Sequence, residues 1–446
     1  MHQPAKFFLL ISAVVLTAAS SWSFEWPQFR GPAHNSVVAQ GEIPTVWNAD
    51  QNIRWKVSIP GRGWSSPIVW GDKIFVTSAV LKSGDASDAP RPGRNRDRKG
   101  TPSDVFSWDV HCLDRASGKV LWTRTAVEGN PRITTHASNT YASETPVTDG
   151  ERLYVYFGMM GLFCYDLESA LLWKKDLGAF PMQGDWGTSS SPVLHAGLLF
   201  QTVDNEDASF IVALDASTGD ERWRLPRDEP SSWSTPLIWQ NSQRTELVVP
   251  GVKIRSYDPT TGRVLWELNQ QGGRNCASPV ADGDRLFIGN EARGGGGRLF
   301  AVRAGAVGDI TPAGDATTSS GVIWSTTNSG IEMSSPLYYR GYVYVLARRT
   351  GMINCFHADT GEVAYYRTPL GGAGEFWASA WGYDGKVFCL DASGTTHVVA
   401  TEPGYRRLHE NKLDDQCWAT PAIVPGMIIL RGVEHLYCIE HARPEA

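Results

Sequence analysis

Two short acidic runs are the first places in this chain where chemistry could happen. Asp204-Asn205-Glu206-Asp207 and Asn290-Glu291 each put carboxylates and amides side by side. These hard oxygen ligands suit Ca²⁺, so Asp204, Glu206, Asp207 and Glu291 are the candidate metal ligands. The same residue types are ordinary in polar loops, and spacing alone leaves both readings open. A second set is aromatic. Trp64, Trp233, Trp377 and Trp418 fall at equivalent places in a repeat, and Arg274 and Asn275 stand in the loop just before the matching place of another copy. A planar ring or a sugar could stack on such indoles, or the indoles could wedge neighbouring repeats together. No Ser/His/Asp triad spacing, Walker loop or zinc signature occurs, so no catalytic residue is named.

What must position these residues is the repeat itself. Ser190–Trp223 reads as four short strands. A Ser-Pro opens the first, Ala196-Gly197 turns into the second, Asp204–Ser209 leads to the third, and Asp215–Gly219 turns into a last strand ending on Trp223. The Ser/Thr-Pro opening recurs at Pro67, Pro146, Pro192, Pro236, Pro279, Pro336 and Pro421, with Ala380 in the proline place of an eighth copy. The Asp…Gly…Trp ending recurs at Asp114/Gly118/Trp122 and Asp258/Gly262/Trp266, and in weaker form near Asp166–Trp173 and Gly361–Tyr365. Four strands in roughly 40–50 residues, repeated, predict a β-propeller. The fold expected is all-β, with eight blades of four antiparallel strands. Ile53–Val57 resembles a fourth strand with no repeat before it, and the chain ends after three strands, Thr420–Val424, Met427–Arg431 and His435–Ile439. The N-terminal strand should therefore complete the last blade and remove its free edge. Strand alternation then sends the loop before each Ser/Thr-Pro and the loop after each second strand to one face, called the top.

The division expected is residues 1–23 as a secretory signal, 24–51 as an extended lead-in and 52–441 as the propeller. Lys6 precedes the apolar core Phe7–Ala19, and small residues follow near Ser20–Ser23. An uncleaved anchor is the competing reading. Export, to a periplasmic or extracellular location, is the expectation, with no membrane span after cleavage. A net charge of −6 gives no reason to expect nucleic acid. Cys112, Cys164, Cys355 and Cys438 occupy one repeat position on different third strands, too far apart to bridge, and read as small buried side chains. Val80–Ser107, with its basic cluster Arg91, Arg94, Arg96, Arg98 and Lys99, and Arg303–Gly321 read as flexible insertions.

The pattern around Ile211–Trp223 and Ser256–Trp266 resembles the pyrroloquinoline-quinone (PQQ) repeat, and the likeness runs through nearly the whole chain after the leader. The lead-in Glu25-Trp-Pro-Gln-Phe-Arg-Gly-Pro32 looks like the start of such proteins, and the Gly-His…Trp-Asp signature of WD40 blades is absent. The resemblance implies eight blades docked by tryptophans, here Trp122, Trp223 and Trp266. It also implies two functional branches. PQQ-dependent alcohol dehydrogenases add Ca²⁺ with Glu and Asn ligands, a catalytic Asp, a tryptophan floor and usually a Cys-Cys pair. No Cys-Cys occurs here, and Glu291 lies in a loop only loosely like the metal-ligand loop. The other branch resembles BamB, a propeller that binds partners and does no chemistry, although a lipid-attachment cysteine is missing. Two expectations follow: a non-catalytic, monomeric propeller that takes a protein, glycan or small molecule at its top face, or a PQQ- and calcium-dependent dehydrogenase of an alcohol or sugar.

Overall fold

The computed structural model describes residues 25–38, 41–84, 104–270, 273, 275–291, 297–401 and 404–442. Blade three shows how local sequence builds the unit. Val193–His195 and Leu198–Val203 are joined by Ala196 and Gly197, at φ 49° and 76°. Two residues with positive φ make the turn whose twist matches antiparallel strands. Phe210–Asp215 and Glu221–Pro226 complete the meander, and the four lie in sequence order across the sheet. Burial follows that order. The second and third strands are almost wholly buried, whereas the outermost has no buried residue and alternates between exposed and half-covered positions. Both faces of the middle strands pack against neighbouring blades, which is why they read as unbroken apolar runs.

Among the described residues eight such antiparallel sheets form the ring. The last one is closed by the N-terminal strand, as expected: Ile53–Ser58 pairs with His435–Glu440, placing Trp55 opposite Cys438. The same register explains the four cysteines. Cys112, Cys164 and Cys355 sit opposite Trp122, Trp173 and Tyr365, so a small third-strand side chain makes room for the outer aromatic ring. None of the seven cysteines is bridged.

The repeat's Asp…Gly…Trp ending is a docking device. Five outer tryptophans donate their indole N–H to the carbonyl just after the Asp (or His357) position of the next blade's last turn. Trp55 reaches Arg115, Trp122 reaches Leu167, Trp173 reaches Ala216, Trp223 reaches Pro259 and Trp324 reaches Ala358, at 2.9–3.2 Å. The turn glycine lies flat on that indole. A Cβ on Gly219 would come within 2.7 Å of the Trp173 ring, and one on Gly118 within 2.7 Å of Trp55. Blade two lacks the glycine, and there Ser169 takes the positive φ instead, at 84°.

Two sheets carry a fifth strand that the repeat does not announce. Glu25–Trp26 pairs along the inside of blade one. Gly308–Asp309 pairs in parallel with the outer strand of blade four. The second corrects the reading of 303–321 as a flexible insertion. The segment seals blade four, with Ile310 N–H on the Glu267 carbonyl at 2.9 Å. It also displaces the usual dock, so the fully buried Trp266 donates to Glu246 Oε2 at 2.7 Å rather than to a turn carbonyl. The insertion in blade one lengthens Lys73–Ser83 and Val105–Asp114 into a tall hairpin; its basic cluster lies outside the described residues.

The lead-in crosses the ring. Pro27 accepts from Thr148 of blade two, and the Arg30 guanidinium donates to Pro279 of blade five at 2.9 Å and Pro336 of blade six at 2.5 Å. Ser36 and Val38 then exchange backbone bonds with Gly382 of blade seven before the chain reaches its closing strand. Residues 25–38 therefore plug the axial channel. No helix among the described residues is long and apolar enough to cross a membrane.

Candidate functional site

The first strand of every blade starts at the axis, so the residues just before it converge. The position three before the proline is Trp64, Ser143, Ser189, Trp233, Cys276, Met333, Trp377 and Trp418, and all eight line one cavity of about 180 Å³. Phe29 from the plug and Trp186 from the loop before blade three join them. The cavity is smaller than the ~300 Å³ at which pockets for drug-sized ligands begin, so it suits a small molecule or one end of a larger one.

The indoles are arranged in a particular way. Trp418 is sandwiched between Trp64 and Trp377, with ring centroids 4.8 and 4.3 Å away and interplanar angles of 23° and 10°. The Arg348 guanidinium, 3.9 Å from the Trp377 ring centre, extends the pile, and Arg348 pairs with Glu375 at 3.5 Å. Blades six, seven, eight and one are thus stapled at the rim. Across the mouth, Trp233 meets Trp186 at 5.9 Å and donates to the Gly187 carbonyl at 2.7 Å. Stacking has covered both faces of Trp418, and its buried Nε1 has no partner among the described residues.

Below the indoles lies a feature that the repeat marker had concealed. The residue directly before each proline place is Ser66, Thr145, Ser191, Thr235, Ser278, Ser335, Ser379 or Thr420, and these eight also line the cavity. They form a collar. Reading round the ring from Ser66, each backbone N–H donates to the next residue's hydroxyl oxygen, seven bonds of 2.9–3.1 Å ending on Thr420. All eight are at most 6% exposed. The Ser/Thr-Pro opening was legible as punctuation; its second role as the floor needed the closed ring.

The other expected site residues lie elsewhere. Asn275 is buried and does not line the cavity; its side chain faces Gln270, and its carbonyl holds the Trp233 and Ser234 N–H groups at 2.8 and 3.1 Å. Arg274 lies outside the described residues. Asp204 is fully buried, and both of its oxygens accept from Arg227, at 2.8 and 3.2 Å. Glu206 Oε1 accepts from the Ser231 N–H and hydroxyl at 2.9 and 2.7 Å. Asp207 is exposed, and Asn205 Oδ1 folds the loop by capping the Asp207 and Ala208 N–H groups. Glu291 is buried in blade five's loop near Glu332, whose carboxyl is pushed up by burial first and by the Glu291 charge second. Ca²⁺ takes six to eight oxygens. With Asp204 committed to Arg227 and Glu206 to Ser231, the blade-three loop does not fit a calcium ion. Among the described residues no three His, Cys, Asp or Glu side chains converge to hold a metal.

A family model described as outer membrane protein assembly factor BamB matches residues 107–364, more than half of the chain. No curated protein matches the sequence significantly. Among solved structures, BamB from Moraxella catarrhalis superposes with a TM-score of 0.57 at 11% identity, covering 88% of this chain and 99% of that one. A quinohemoprotein alcohol dehydrogenase from Comamonas testosteroni gives 0.57 at 13%, covering 97% and 83%. The corresponding enzyme ADHIIG from Pseudomonas putida HK5 gives 0.53 at 11%, covering 95% and 82%. At these identities the likeness speaks for the fold alone.

Proposed function

Because the chain belongs to the PQQ-repeat propeller family described as outer membrane protein assembly factor BamB, we propose that it is an exported, non-catalytic binding propeller whose ligand enters the top-face funnel. One observation carries this reading. Of the described side chains that line the funnel, Cys276 alone is ionisable, and the rest are indoles, hydroxyls, Phe29, Asn139 and Met333. Catalysis of hydride or proton transfer calls for a positioned acid or base. Binding needs shape, apolar walls and a few convergent polar groups, and those are what this funnel supplies. Export rests on the leader-like residues 1–23 and on the outer-membrane role that the family description names.

The quinoprotein alternative draws on the same fold and on Glu291, but Asp204 and Glu206 are engaged by protein partners. Two measurements separate the readings. Purified protein given PQQ and Ca²⁺ should not reduce a redox dye with alcohols or sugars as donors, and turnover that disappears in Glu291→Gln would overturn the binding reading. Trp233→Ala should leave the fold intact and weaken an identified ligand by about 1–3 kcal/mol, the range for losing an aromatic anchor. Unchanged binding, with loss on altering the bottom turns at Asp215 or Asp258, would move the site to the other face.

A further inference from the structure

The collar holds a chemical asymmetry. A serine or threonine hydroxyl has one proton to donate and two lone pairs. In seven of the eight collar hydroxyls one lone pair is already filled by a backbone N–H from the preceding blade. Accepting a bond polarises the O–H and makes it a stronger donor. None of the eight O–H groups has a protein acceptor among the described residues, although all are buried and line the cavity. With no protein acceptor, these donors turn to whatever fills the cavity, and a ring of them facing one space points to a ligand that accepts.

Charge points the same way. Arg30, 1% exposed and set back from the cavity wall, touches the collar through the Ser278 carbonyl: its guanidinium donates to the Ser278, Pro279 and Pro336 carbonyls, and among the described residues no carboxylate pairs with it. Arg431, also buried, reaches Ser65 Oγ at 2.9 Å at the junction of blades eight and one, again with neutral partners. Burial lowers both guanidinium groups to about 9, so both stay charged near neutrality. Among the described residues none that lines the cavity is a carboxylate. Glu144, the acid next to the collar residue Thr145, is directed at Thr188 and Gly158 instead. The stacked Trp418 presents only its rim, and indole rims carry the positive end of the ring quadrupole.

We infer that the collar is an anion seat and that the funnel takes a small carboxylate, its head on the ring of hydroxyls over Arg30 and its apolar body among the indole rims and Phe29. This inference rests on the binding-propeller reading and narrows it.

Benzoate and its neutral isostere benzamide test it on the full mature chain, read by tryptophan fluorescence and by protection of Cys276 from iodoacetamide. Benzoate should bind and protect, benzamide should bind at least about tenfold more weakly, and acetate should compete with benzoate. Ser66→Ala removes one donor at the one collar hydroxyl that accepts no collar N–H; it should weaken benzoate by about tenfold and leave benzamide unchanged. Benzamide binding as tightly as benzoate would overturn the anion seat while leaving the funnel as a binding site. Protection of Cys276 by neither compound, together with protection by a methyl glycoside, would overturn it equally. Should no small molecule protect Cys276 while a protein partner binds and is lost on altering the bottom turns, both readings fall.

Discussion

Glu144 is the residue whose environment departs furthest from what its repeat position leads one to expect. Equivalent places hold Ser65, Ser190, Ser234, Ala277, Ser334, Ala378 and Ala419, all small. The Glu144 carboxyl is buried with Oε1 unpartnered, and burial pushes it up to about 7 against a hydrogen bond from Thr188. A carboxyl raised in the folded state favours folding below its unfolded value, and that contribution is lost as pH climbs through the folded value. The window here is about pH 4.5 to 7. Stability should therefore fall across it by roughly 3 kcal/mol. Glu144→Gln should flatten the slope and melt higher than wild type at pH 8, with the gap closing toward pH 5. A variant that melts lower at pH 8 would mean that the carboxylate is stabilised by something else. Thiol reactivity offers a second check. Burial pushes Cys112, Cys164, Cys355 and Cys438 up to about 12. Cys276 alone of the seven is not buried. Maleimide at pH 7.5 should label Cys276 first and the other six only on unfolding, as peptide mass mapping would read.

The blade, the next scale up, depends on a turn that does two jobs. Gly219 and Gly197 have nearly the same φ, 77° and 76°. A Cβ on Gly197 would meet nothing within 4 Å, whereas on Gly219 it would press into the Trp173 ring. Gly197→Ala should therefore cost about 1 kcal/mol, the backbone term alone. Gly219→Ala should cost about 2–3 kcal/mol, because ring contact adds to the backbone strain. Chemical denaturation of both variants separates the two effects, and equal losses would remove the packing role from the repeat's glycine. Sequence reading recovered this turn in blades one, three and four because glycine and tryptophan are conspicuous at fixed spacing. It treated 303–321 as loose since no periodicity marks a strand of two residues, Gly308–Asp309, whose partner lies some forty residues earlier.

The ring as a whole is held by its first strand and by the plug. Ile53–Ser58 closes blade eight, and Trp55 docks on the blade-one turn, so one segment completes both a sheet and an inter-blade joint. Arg30 ties the plug to blades five and six. A chain lacking residues 24–59 would expose the edge of His435–Glu440 and open the axis. It should aggregate or lose its single cooperative unfolding transition, as light scattering and calorimetry would show. If it stays monomeric with an unchanged melting curve, closure is not what holds the ring together.

The amino-acid order by itself determined the repeat, the blade count, the closing strand and the face on which the four tryptophans meet. Those properties follow from local periodicity and from the two-sidedness of strands, which a linear text carries in full. Only the tertiary structure decided what the meeting residues do to one another. The stacking that hides the faces of Trp418, the bond that commits Asp204 to Arg227, and the ring of hydroxyls beneath the indoles each join positions tens to hundreds of residues apart. Such contacts depend on the curvature of a closed ring and on which side chains it brings within reach of one another, and no spacing along the chain records either.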